Sequence, residues 1–173
     1  MTLSIVVTGC DQTGSSESPQ ASATPTIGSY LPEGLKLAEP PAGVVAVVDL
    51  KKSAKEGDQV VLKAIVGGRV NPIVENRSIM TVVDATLKNV CLLPGDGCKT
   101  PWDYCCAAPK QLKESLATIQ ILGETGSPLA VDLGAALNIA PQSVVVVKGT
   151  VGPRQDNSAL IVNASGLFVV ANQ

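Results

Sequence analysis

From Gln59 onward, apolar and polar positions alternate in short runs broken by glycine, proline and polar clusters, the two-residue period of half-buried strands. QVVLKAIVGG reads as a first strand and, after the loop RVNPIVEN, RSIMTVVDATLKNV as a second. ATIQILGETGSPLAVDL reads as two strands about a hairpin turn at Gly126. QSVVVVKGTVG is a buried strand, GPRQDNS a turn, and ALIVNASGLFVV the last strand. Elsewhere the period changes. Val44, Val47, Leu50 and Ala54 fall near helical spacing ahead of Gly57, which predicts a short helix over 44–55. GAALNIAPQ reads as a helical turn stopped by Pro141, and PKQLKESL as a polar connection. Gly67-Gly68 and Gly166 predict bulges or sharp bends.

Five main strands with a short helix between the third and fourth is the order of a five-stranded, OB-fold-like Greek-key barrel, here with a cysteine-rich insert between strands two and three. A β-sandwich is the alternative. The Gly67-Gly68-x-x-x-Pro72 loop and the Asp84 closing the next strand resemble uncharacterised secreted or lipid-anchored OB-fold-like bacterial proteins, over residues 57–170. That resemblance implies a fold and carries no catalytic signature.

Ahead of the domain, Val7-Thr8-Gly9-Cys10 resembles the lipobox of bacterial lipoproteins, which implies lipidation of Cys10. No Lys or Arg precedes it, and the apolar part runs only from Leu3 to Val7, so the basic region of a full signal peptide would lie upstream of Met1. DQTGSSESPQASATPTIGS is polar and rich in Ser, Thr and Pro, the composition of a flexible tether. The expected organisation is a partial signal segment over 1–10, a linker over 11–42 and the barrel over 43–173. The expected location is the bacterial cell envelope, with the membrane reached through the lipid.

Composition narrows the functions. Hydrophobic residues are 45% of the chain but aromatics only 2%, so the core must be aliphatic. Histidine is absent, which removes Ser–His and Cys–His nucleophiles and the commonest metal ligand. A net charge of −2 and a pI near 5.1 leave no footprint for nucleic acid, and the expected strands carry one aromatic, Phe168, to stack a base. No hydrolase, P-loop, dinucleotide or metalloprotease motif occurs, so neither catalysis nor a cofactor is expected.

One stretch departs from this plain barrel. CLLPGDGCKTPWDYCC holds Cys91, Cys98, Cys105 and Cys106, four of the five cysteines, with the single Trp. With Cys10 lipidated the remainder is even, which in an oxidising compartment predicts two disulfides joining Cys91 and Cys98 to the adjacent pair. A four-thiolate metal site is the alternative. It must overcome six-residue spacings and the difficulty of presenting two adjacent sulfurs to one ion. A redox pair is a third reading, without a C-x-x-C to support it. Trp102, Asp103 and Tyr104 form either a contact surface for a protein or small ligand, or a plug for the barrel end.

The loops supply further candidates. Arg69 and Arg77 could grip an anion, with Asn71 and Glu75 between them and Arg154, Gln155 and Asp156 in the loop joining the fourth and fifth expected strands. Such a module would take an anionic ligand or nucleic acid. Asp84, Asp96 and Asp103 could together hold calcium.

Overall fold

In a computed structural model of the protein, residues 30–95 and 97–170 are described, together with Met1. Cys10 and residues 2–29 lie outside the described residues, as does Asp96.

Five strands form one closed barrel: β1 (Gln59–Val66), β2 (Ile79–Asp84), β3 (Leu116–Gln120), β4 (Val144–Val151) and β5 (Ile161–Val169), in the order β1-β2-β3-β5-β4. All neighbours are antiparallel except β3 and β5, which run parallel. This is the OB-fold-like barrel. A sandwich of two stacked sheets is ruled out, because β1 closes on both β2 and β4. Strand alternation supplies the core. Val60, Leu62, Ala64 and Val66 of β1 point inward, toward Met80, Ile119, Val147 and Val162. Each Val, Leu, Ile or Met among them contributes about 1.5–3 kcal/mol on full burial.

Three short helices complete the domain: α1 (Val47–Ser53), α2 (Pro109–Ser115) and α3 (Leu133–Leu137). α1 starts later than the periodicity predicts. Gly43 is left-handed (φ 83), and Val45 then lies beside β1, its N–H donating to Val61 O at 2.8 Å. α2 occupies the stretch read as a polar connection, opened by Pro109 at a position that needs no N–H donor. The expected hairpin after β3 shrinks to a bridge between Leu122 and Pro128, since Pro128 cannot extend a ladder.

The barrel also takes in residues read as linker. Leu35 is buried, and the segment adds an edge to β5: Leu37 N donates to Leu167 O at 2.9 Å and Leu167 N to Leu35 O at 2.7 Å. A bulge stands beside Gly166. Lys148 pairs with Gly166 and Gly149 with Ala164, leaving Ser165 as the extra residue. At Gly149 the strands come so close that a Cβ would strike the Asn163 carbonyl.

A four-thiol cluster and the clefts beside it

The insert leaves the barrel at Asp84 and returns at Leu116, the last strand residue and the first. Its two halves carry single helical turns, Val90–Leu92 and Pro101–Asp103. Asn89 joins them. Its carbonyl accepts from Cys91 N at 3.0 Å, and its amide donates to Pro101 O at 2.8 Å. In the second half Tyr104 adopts a left-handed conformation (φ 58), and Ala107 N donates to Tyr104 O at 2.9 Å, closing a turn that contains Cys105 and Cys106. Adjacent cysteines on that turn place their sulfurs on the same side, 3.7 Å apart.

All four sulfurs of Cys91, Cys98, Cys105 and Cys106 lie within 4.8 Å of one another. Cys98 and Cys105 are separated by 3.4 Å, and Cys91 and Cys105 by 3.9 Å. These separations are well beyond the ~2.05 Å of a sulfur–sulfur bond. The two disulfides expected from cysteine parity are therefore not present in this arrangement. A tetrahedral zinc–thiolate centre with bonds of about 2.3 Å has sulfur–sulfur edges near 3.8 Å, and the cluster matches that dimension. The backbone supports it with a Cys106 N–H donated to Cys91 Sγ at 3.2 Å. Cys91 is buried at the base, Cys98 half-buried, and Cys105 and Cys106 exposed at the rim.

The thiols strongly affect one another. Burial pushes the Cys91 thiol up, but hydrogen bonds from Cys106, Cys105 and Cys98 outweigh it and leave its pKa lowered. Cys105 is pushed up to about 12, first by its hydrogen bond with Cys98 and then by Asp103. Four thiols packed this way share protons that a cation would displace.

Asp103 is half-buried and Tyr104 buried, and both are engaged within the fold. The Asp103 carboxylate accepts from Cys105 N and from the Thr100 hydroxyl, each at 2.8 Å, and so fixes the cysteine turn. Burial raises its pKa, but the Cys105 N–H and Thr100 hydroxyl outweigh that and hold it below the usual range. Tyr104 is 1% exposed and packs with Val83 and Leu87 in a second small core.

Trp102 is half-buried and faces the β1–β2 loop. Its indole Nε1 donates to Val70 O at 2.9 Å, and its own carbonyl accepts from Gly68 N at 2.7 Å. The β1–β2 loop and the insert are therefore fastened back to back. Gly67 and Gly68 are required there: a Cβ on Gly67 would strike the Trp102 carbonyl, and one on Gly68 (φ 80) the Leu116 side chain. Beside this junction Trp102, Val70, Pro72, Val74 and Pro141 line an open groove of about 600 Å³.

The remaining candidates are dispersed. Arg69 and Arg77 are both exposed, and neither lines this groove. The proposed calcium group does not assemble from Asp84 and Asp103. Asp84 is buried, accepting from Val48 N at 3.0 Å and from Thr86 N and Oγ1 at 2.8 and 2.7 Å. Its carboxylate thereby caps α1, whose own N-terminal residue Ala46 cannot. Arg154 binds the opposite end of that helix, donating to Ala54 O at 2.7 Å and Lys51 O at 2.8 Å. Lys51, buried, donates in turn to Lys113 O at 2.7 Å and Leu116 O at 3.1 Å. No local sequence signal marks these caps, because each partner is more than thirty residues away.

No family model, no curated protein and no solved structure matches this chain.

Proposed function

We propose that this chain is a non-catalytic envelope module in which an OB-fold-like barrel carries a metal-thiolate staple. Cys91, Cys98, Cys105 and Cys106 hold one soft divalent ion, zinc by ligand type, and binding releases their thiol protons. The carrying observation is the four-sulfur cluster, with separations of 3.4, 3.7 and 3.9 Å that match the edges of a tetrahedral site. All four positions are filled by protein sulfur, the closed pattern of a structural ion. Such an ion fixes the insert, and the insert fixes Trp102 over the groove, where a protein or small-ligand partner would bind. Tethering to the membrane through Cys10 is supported by the lipobox-like Val7-Thr8-Gly9-Cys10 and the polar stretch that follows.

Purification without chelator, followed by elemental analysis, is expected to find one metal ion per chain. Cobalt exchanged into the site should show the sulfur-to-metal charge-transfer bands of a four-thiolate centre, and Cys98→Ser should weaken them. Metal-free protein with two disulfides in non-reducing mass spectrometry would instead restore the parity reading. The anchor is tested separately, by lipid incorporation that Cys10→Ala abolishes.

A further inference from the structure

A separate cleft borders α1. Between α1, α2 and the β4–β5 loop is a cleft of about 440 Å³ whose walls carry Lys51, Lys52, Lys110 and Lys113 against one carboxylate, Glu114. Four cations converging in a protein of net charge −2 is a local inversion of sign. Lys52 is partly answered by Asp49 at 3.8 Å, but among the described residues neither Lys110 nor Lys113 makes an ion pair. Lys51 spends two of its three N–H donors on backbone carbonyls, which holds its ammonium at the cleft. Burial lowers its proton affinity, and the nearby Arg154 and Lys113 charges lower it further, with Glu114 acting in the opposite direction. This repulsion is what a bound anion would relieve. Val48 and the lysine stems give the cleft an apolar wall beside its charges.

We propose that this cleft binds a phosphate-bearing organic anion, the phosphate among Lys51, Lys110 and Lys113 and the apolar part against Val48. The chemistry is shared by a soluble phosphate monoester and an anionic lipid headgroup. The site is separate from the cysteine cluster and stands without any metal.

The full chain, isotopically labelled, is titrated at low ionic strength with phenyl phosphate and, in a second arm, with phosphatidylcholine vesicles containing phosphatidylglycerol. Saturable amide shifts confined to α1, α2 and residues 157–158 are expected. The double variant Lys110→Glu/Lys113→Glu should weaken binding about tenfold or more, as expected for lost charge-assisted contacts. Lys148→Glu, an exposed charge on the barrel, should leave it unchanged. If the double reversal does not fold, Lys110→Gln/Lys113→Gln serves, with a smaller loss in the same direction. Binding of phenyl phosphate alone identifies a soluble ester, and binding of vesicles alone identifies a headgroup. Binding to neither, equal affinity in the variants, or shifts spread equally over Lys63 and Lys148 would overturn the proposal.

Discussion

In the barrel, Leu62, Met80, Ile119, Val147 and Val162 are each fully buried and lie in one aliphatic cluster. In the insert from 91 to 106, Cys91 and Tyr104 are the buried residues among those described, while Leu92 and Leu93 are 56% and 50% exposed. Five strands can enclose a core through alternation alone, and a sixteen-residue loop cannot. The loop is held instead by sulfur, by hydrogen bonds to Asn89 and Asp103, and by one ring pushed under it. Hydrophobic burial thus accounts for the barrel, and the proposed ion takes that role in the insert.

The largest effect should come from the barrel. Leu62→Ala removes a fully buried side chain, and it should lower global stability by about 2–5 kcal/mol in urea unfolding. Insert and barrel signals should be lost together in that transition. An insert that survived the loss of the barrel would reverse this dependence.

Removing the proposed ion should separate the two regions. Cys91→Ser, or the wild type after exhaustive chelation, should expose the amides of Gly68, Tyr104 and Ala107, which are bonded to or within the insert. Their hydrogen-exchange protection should fall on the order of 100-fold, while the β1–β4 ladder keeps most of its own. Equal losses in both regions would mean that the staple supports the whole domain rather than the insert.

The same division explains what could be read from sequence. The strands were legible because inward and outward positions alternate along the eight residues of β1, while β4 opens on an unbroken run of valines. The insert stood out through Cys91, Cys98, Cys105 and Cys106, but their chemistry was not legible from spacing. Six-residue gaps argue against a metal only while the chain between them is taken as extended. The left-handed Tyr104 and the Asp103 bond to Cys105 N fold it so that adjacent sulfurs converge. Tyr104 itself could be read as plug or contact, because its burial depends on Gly67 letting the insert approach. The helix caps from Asp84, Lys51 and Arg154 are wholly tertiary, so a local reading places those residues in solvent.

Asp84 sits where barrel and insert meet, and its substitution should have an intermediate effect. Asp84→Ala removes the cap on α1 and leaves the Val48 N–H without its acceptor. A loss of about 0.5–2 kcal/mol is expected, measured by thermal unfolding. A spectrum in which α1 resonances move while the cysteine cluster keeps its cobalt bands would place Asp84 with the barrel. Loss of those bands would place it with the insert.

The smallest effect concerns Lys51, which belongs to neither means of support. Its pKa is lowered from 10.5, chiefly by burial and then by Arg154 and Lys113. Between that lowered value and 10.5 the unfolded chain binds more protons than the folded one, so stability rises with pH across this window. Below the window both states are charged and the full cost of burying the ammonium remains. One proton limits the slope to about 1.4 kcal/mol per pH unit. Burial raises the Tyr104 pKa, which works against stability in the same alkaline range, and the thiols titrate there too. Measuring the wild type against Lys51→Met cancels those contributions. The stability difference should therefore move in favour of the wild type as pH rises toward 10.5, and a flat difference would show that Lys51 is not penalised in the fold. Saturating phenyl phosphate sharpens the test. An anion beside the ammonium raises its pKa, so the same difference should flatten when the cleft is filled.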